Sequence, residues 1–77
     1  MDWRDRISID PRVCHGKPCI KGTRVMVSVV MDNLAAGENH ESIRRGYHIE
    51  EEDIQAALHY AAELARDRFA FLPARSS

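Results

Sequence analysis

The sequence predicts a mainly α-helical fold in which three helices follow a short N-terminal β-ribbon. Two long segments place apolar residues at helical spacing, and a short segment between them has its own start signal. The first 25 residues instead show strand-like alternation and turn residues. A helix, a short helix, a turn and a long helix form the layout of a homeodomain-like, helix-turn-helix bundle. A plain helical bundle with no role in nucleic-acid binding is the alternative that this layout leaves open.

The predicted ribbon comes first along the chain. Residues 7–9 alternate apolar and polar side chains and are followed by an Asp-Pro turn signal. Residues 19–20 supply the second strand. The segment 14–25 holds two glycines, one proline and three Lys or Arg side chains, a mixture that neither a helix nor an ordinary strand needs. We expect this segment to be a rigid, basic, turn-rich element that meets phosphate or carboxylate groups.

The first predicted helix runs from about Met26 to Ala36. Its β-branched beginning favours a strand, but the later residues share one helical face. Gly37 stands where the C-terminal cap of a helix belongs. The residues on the shared face are Val27, Val30, Met31 and Leu34.

The second predicted helix is short and runs from His40 to Arg45. Asn39 precedes it and is a good N-cap residue. Ile43 is expected to face inward, and Gly46 is expected to end the helix, so that a tight connection follows.

The third predicted helix is the longest. It opens in the acidic segment 50–53, whose charges suit the N-terminus of a helix, and runs to about Arg68. We expect residues 1–68 to form one domain and residues 69–77 to form an apolar C-terminal tail. The apolar stripe of this helix comprises Ile54, Ala57, Leu58, Ala61, Leu64 and Ala65.

Size and composition limit the class of protein. The core of a 77-residue domain gives only about 3–5 kcal/mol of net stability, so we expect a homodimer or a hetero-oligomer. A hydrophobic content of 44% and a charged content of 30% indicate a globular domain and not a disordered chain. No apolar stretch approaches the roughly 18 residues of a membrane span, and the N-terminus has no signal region. We therefore expect a cytoplasmic protein without a membrane partner.

The net charge of −1 conceals an uneven distribution, because residues 1–24 carry a net +3 and residues 25–53 a net −5. A basic front end suggests an anionic partner, although a solvated surface with uneven charge fits equally well. The acids that open the third helix would repel phosphates, so DNA contacts are expected elsewhere. The candidate DNA-binding residues are Arg4, Arg6, Arg12, Lys17, Lys21, Thr23, Arg24, Arg44 and Arg45.

Metal and catalytic sites are not expected. Cys14, His15 and Cys19 resemble part of a metal site, but a closed zinc site needs four ligands and the other histidines lack a suitable spacing. A disulfide between the two cysteines does not fit a reducing compartment. No nucleophile, base and orienting acid form an evident set, and the spacing of a phosphate loop is absent. We expect no cofactor and no enzymatic activity.

The order of motifs from residue 7 to about residue 65 resembles the family called domain of unknown function 433. Its specific part is Gly-Lys-Pro at 16–18 followed by Gly-Thr-Arg at 22–24. The resemblance implies a homeodomain-like fold with a short N-terminal β element. His48 stands where the family often has proline. Glu50 stands where serine or threonine commonly caps the last helix, which weakens that cap by about 1 kcal/mol.

The resemblance also implies a VapB-type antitoxin that inhibits a PIN-like ribonuclease toxin and binds its own operator DNA. PIN-like nucleases hold metal with clustered carboxylates, so an inserted arginine, Arg75 first and Arg68 second, would pair with them. A stand-alone DNA-binding transcriptional regulator and a small hydrolase or metal protein are the alternatives. The residues expected to bind the toxin are Tyr60, Leu64, Arg68, Phe69, Phe71, Leu72 and Arg75.

Overall fold

In a computed structural model, which describes residues 2–68, the chain forms three α-helices and one two-stranded antiparallel sheet. There are also two short 3₁₀ helices, Trp3–Arg6 before the first strand and Cys14–Gly16 between the two strands. The expected mainly helical chain with a small ribbon is confirmed at this level, and the expected tail at 69–77 lies outside the described residues. The strands are β1 (Ile7–Ser8) and β2 (Cys19–Ile20), and the helices are α1 (Val27–Ala35), α2 (His40–Tyr47) and α3 (Glu51–Arg68).

The ribbon is built around β2. Ile7 in β1 pairs with Ile20 in β2. The other edge of β2 is covered by the chain that returns toward α1, because the backbone N–H of Ile20 donates to the carbonyl of Val25 at 2.8 Å and Cys19 bridges to Met26. Both residues of β2 are 1% exposed, so neither edge of this strand is open to a partner.

The 3₁₀ helix before β1 was not expected from the sequence. Asp2 caps it by accepting a hydrogen bond from the N–H of Arg4 at 3.0 Å. Trp3 lies on α3, where its ring stacks on His59 with centroids 6.3 Å apart and meets Tyr60 edge to face at 6.1 Å. One 3₁₀ turn is too short to show a hydrophobic period in the sequence.

The core lies where the three helices meet the ribbon. Val30, Ile43 and Ile54, one from each helix, are at most 1% exposed. The expected buried face of α1 is confirmed, with Met31 and Leu34 packing against the core from its edge. The buried core cluster comprises Ile20, Val27, Val30, Ile43, Ile49, Ile54 and Ala57.

Helix α2 begins where the sequence predicts and ends later. Asn39 accepts a hydrogen bond from the N–H of Ser42 at 2.8 Å, which confirms the N-cap. The prediction that Gly46 ends the helix is wrong, because α2 includes Gly46 and the chain reverses at His48, with φ 56°. A non-glycine residue in this left-handed region is strained. The later reversal carries Ile49 into the core, where it is 6% exposed.

The start of α3 has a hydrogen bond that the sequence did not reveal. The backbone N–H of Glu50 donates to Oδ2 of Asp53 at 2.9 Å, which is half of a capping box. This bond partly compensates for the absent serine or threonine cap at Glu50. Among the helices within residues 2–68, α3 included, none combines the length and apolar content needed to cross a membrane.

Candidate functional site

The turn between β2 and α1 presents basic side chains on a rigid backbone. Gly22 has φ +80°, a conformation that favours glycine. The hydroxyl of Thr23 donates to the carbonyl of Ile20 at 2.7 Å and accepts from the N–H of Val25 at 3.0 Å. Thr23, a candidate DNA contact, therefore holds the turn together and has no hydroxyl hydrogen left to donate to a ligand.

A second turn braces the first one. Cys14, His15 and Gly16 have φ values of 52°, 57° and 80°, three successive left-handed residues. The thiol of Cys14 donates to the carbonyl of Arg24 at 3.4 Å, which ties this turn to the one after β2. Burial, and then the neighbouring Cys14 thiol, raise the pKa of Cys19 to about 11. Cys19 is therefore a buried, protonated thiol at neutral pH.

Three of the candidate DNA-binding cations stand apart from the others. Lys17, Lys21 and Arg24 are exposed and make no ion pair with any side chain that the structure describes. We name them the cation loop. Because the two turns fix the backbone that carries them, their charge is offered to solvent from a preorganised surface.

Arg6 has a structural role in the N-terminal region. Its guanidinium lies 2.9 Å from Oδ1 of Asp53 and 3.3 Å from Oε1 of Glu50. The hydrogen bond with Asp53 is the main cause that raises the pKa of Arg6, and Asp53 is 8% exposed. Arg6 therefore joins the first turn of the chain to the start of α3, and a phosphate would have to displace a buried acid to reach it.

The other candidate arginines are exposed and already paired. Such pairs contribute little to stability and exchange for a phosphate more readily than a buried pair does. The Arg12 backbone N–H, followed by its guanidinium, holds the pKa of Asp10 below its usual value. The pairs are Arg4 with Asp2 at 3.5 Å, Arg12 with Asp10 at 3.3 Å, Arg44 with Glu51 at 3.8 Å, and Arg45 with Glu41.

The junction of α2 and α3 is acidic. Glu51 accepts from Nε2 of Gln55 at 2.9 Å and lies 2.9 Å from Nδ1 of His40. The Gln55 hydrogen bond, followed by the one with His40, lowers the pKa of Glu51. Glu52 is exposed beside them. The start of α3 therefore repels phosphates, as its sequence indicates.

An apolar groove lies between α1 and the second half of α3. Its volume is about 460 Å³. Tyr60 and Leu64, two candidate toxin contacts, both line it. The contribution of α1 to this surface was not foreseen, because its helical spacing indicated only core residues. The contribution of Pro18 was not foreseen either, because it lies in a turn-rich segment without a periodic pattern. The groove is lined by Lys17, Pro18, Val27, Ser28, Met31, Tyr60, Ala61 and Leu64.

The remaining candidate toxin contacts lie at or beyond the end of α3. Arg68 is the last residue of that helix. Phe69, Phe71, Leu72 and Arg75 lie outside the described residues. Within the described part of the chain, no group of three or more His, Cys, Asp or Glu side chains is arranged to hold a metal ion.

The fold and these surfaces define a small helical domain with a braced basic turn and an adjoining apolar groove. The chain belongs to the family described as "Protein of unknown function (DUF433)", whose model matches residues 7–61. The match covers the ribbon, α1, α2 and the first part of α3. It excludes Trp3 and Arg4 on one side and Leu64 on the other. Neither a curated protein nor a solved structure matches the chain.

Proposed function

We propose that this protein is the antitoxin of a type II toxin–antitoxin pair, which binds and inhibits a PIN-like ribonuclease and binds its own operator DNA. The observation that supports the proposal is a pair of adjoining surfaces: the cation loop, which makes no ion pair within residues 2–68, and the apolar α1–α3 groove. One suits an anionic polymer and the other suits a protein. The proposed antitoxin acts in the cytoplasm as a homodimer or hetero-oligomer and catalyses no reaction itself.

The proposed DNA contact uses the cation loop. Helices α2 and α3 are proposed to form the turn-linked helix pair of a homeodomain-like fold. The acids at the start of α3, however, oppose the entry of that helix into a groove of DNA. Lys17, Lys21 and Arg24 meet the phosphates instead, since they lose no ion pair with a described residue on binding.

The proposed toxin contact uses the second half of α3 and the tail. Tyr60 and Leu64 supply apolar surface, and Phe69, Phe71 and Leu72 are the proposed anchors. Arg75, or secondarily Arg68, is proposed to pair with carboxylates in the active site of the nuclease. Inhibition then follows from occupation of that site.

The proposal predicts that a PIN-like nuclease is encoded beside this gene, and co-expression with that nuclease tests the toxin contact. The double variant Phe71→Ala, Leu72→Ala is expected to lose neutralisation and co-purification. Ile9→Ala is the matched control, since Ile9 is an apolar residue that is 60% exposed and lies outside the proposed contact set. Normal inhibition by the double variant would contradict the tail assignment, and an unaffected nuclease with the wild-type protein would contradict the antitoxin function.

DNA binding is tested with two triple variants of equal charge change. The first is the triple variant Lys17→Ala, Lys21→Ala, Arg24→Ala. It is expected to reduce the slope of log K for operator binding against log salt concentration by about 0.9 per lost phosphate contact, about 2–3 in all. The second is the triple variant Arg4→Ala, Arg12→Ala, Arg45→Ala, which removes three cations that are already paired. It is expected to change the salt dependence of operator binding less. A larger effect of the second variant would contradict the assignment to the cation loop.

A stand-alone transcriptional regulator is the second candidate, favoured by the same unpaired cations. It predicts tight, salt-sensitive operator binding by the isolated protein and no neighbouring nuclease gene. Co-purification with a nuclease would exclude it.

A further inference from the structure

The α1–α3 groove has the form of a site for a third helix. α1 supplies Val27 and Met31, and α3 supplies Tyr60, Ala61 and Leu64. The small side chain of Ala61 lets a helix backbone approach α3 closely. A channel between two neighbouring helices accepts the ridge of another helix, with axes about 8–10 Å apart.

The groove is incompletely buried by its own chain within residues 2–68. Leu64 is 41% exposed although it continues the stripe that buries Ile54 and Ala57 completely. Removing such a leucine from water is favourable at about 25 cal/mol per Å² of apolar surface. An occupant with leucine-like side chains on one face therefore gains binding free energy here.

The charge of the groove identifies the chemistry of the occupant. Among residues 2–68, Lys17 is the one charged residue that lines the groove, and it makes no ion pair with any side chain in that range. An occupant with a carboxylate at the Lys17 end matches it. Segment 69–77 of this chain supplies no side-chain carboxylate to meet Lys17, because its only charged side chain is Arg75. A second copy that presents the same groove brings only another Lys17 to it.

We infer that the α1–α3 groove binds an amphipathic helix of a partner protein, which buries leucine-like side chains at helical spacing and places a carboxylate beside Lys17. The inference rests on the proposed function only for the identity of the partner, since the helix would then belong to the nuclease. The groove itself specifies an amphipathic helix with an acidic side chain at its Lys17 end, whichever protein carries it.

A charge-exchange experiment on the full chain tests this inference. The probes are two labelled synthetic helices of about 14 residues with leucines at i, i+3, i+4 and i+7, one with glutamates at both ends and one with lysines at both ends. Fluorescence anisotropy is expected to give roughly fivefold tighter binding of the acidic helix by the wild-type protein. Lys17→Glu is expected to reverse this preference. The matched control Lys21→Glu, which changes an exposed lysine on the other side of β2 and outside the groove, is expected to keep it.

Further variants distinguish the other occupants. Leu64→Glu is expected to abolish binding of the acidic helix while the circular dichroism of the protein is unchanged, because Leu64 contributes little to the core. If Phe71→Ser, Leu72→Ser binds the acidic helix about tenfold more tightly than wild type, the tail occupies the groove and the inference is overturned. If Leu64→Glu converts a dimer into a monomer, a second copy occupies it and the inference is also overturned.

The outcome is separable from that of the antitoxin proposal. If the protein binds the acidic helix but does not inhibit the nuclease, the proposed function is contradicted and the groove assignment is supported. Inhibition of the nuclease that is unchanged by Leu64→Glu, together with no binding of either helix, would remove the groove assignment and keep the function.

Discussion

The two halves of α3 differ sharply although they continue the same apolar stripe. In the first half, Ile54, Ala56 and Ala57 are fully buried. In the second half, Leu64 is 41% exposed and Ala65 is exposed as well. Helical periodicity therefore identifies which face of a helix is apolar, but not what covers that face. The first half is covered by the domain itself, and the second half lines a groove.

Truncating one leucine-sized side chain in each half is expected to give very different losses of stability, and the loss in the first half is the largest one predicted. Ile54→Ala is expected to lower the free energy of unfolding by about 2–5 kcal/mol, because it opens a cavity in a fully buried core. Leu64→Ala is expected to lower it by less than about 1 kcal/mol, since that side chain is half exposed. Urea denaturation followed by circular dichroism measures both. Equal losses would show that the second half is also part of the core.

The sequence predicted the first half of α3 because its determinants are local. Acidic residues at 50–53 and the spacing of Ile54 and Ala57 specify where a helix begins and which face is buried. The capping bond from Glu50 to Asp53 and the ion pair of Asp53 with Arg6 were missed. The latter joins residues 47 positions apart, and no periodic pattern encodes such a distance in sequence.

The candidate site was predicted less completely than the fold. Nine basic or polar residues were equivalent in sequence. Only the folded chain divides them into three cations without an ion pair in the described part of the chain, five paired arginines and a turn-forming threonine. The end of α2 was missed for a similar reason. Gly46 is a local signal to stop, but the position of Ile49 in the core requires the reversal to occur at His48.

A smaller loss of stability than that of Ile54→Ala is expected when Asp53 is replaced at the start of α3. Asp53→Ala removes the side chain that accepts from the N–H of Glu50, and this loss of a capping bond is expected to lower the free energy of unfolding by about 1–2 kcal/mol. It also leaves Arg6 without its closest acid. Glu52→Ala is the matched control, an exposed acid in the same turn. Equal results for the two variants in urea denaturation would contradict the anchoring role of Asp53.

A smaller effect concerns the pH dependence of stability. The pKa of Glu51 lies below its ordinary value of 4.5 because Gln55 donates a hydrogen bond to it and His40 lies against it. A carboxyl whose pKa is lowered by folding stabilises the folded state above its unfolded pKa, and this contribution is lost as pH falls through the folded pKa. Melting temperature is therefore expected to fall on acidification below pH 4.5, and less steeply in Glu51→Gln. Glu52→Gln is the control. If the melting temperature of Glu51→Gln falls below pH 4.5 as steeply as that of the wild type, this role of Glu51 is contradicted.

Lys17 belongs to both the α1–α3 groove and the cation loop, so binding at one surface is expected to weaken binding at the other. This change is the smallest one predicted. A DNA duplex that draws Lys17 toward a phosphate reduces its attraction for the acidic helix in the groove. Saturating duplex is therefore expected to weaken binding of that helix by about twofold at constant ionic strength. The weakening is expected to disappear in Lys17→Gln and to persist in Lys21→Gln. Equal weakening in both variants would mean that the duplex acts on the groove by occlusion and not through the shared lysine.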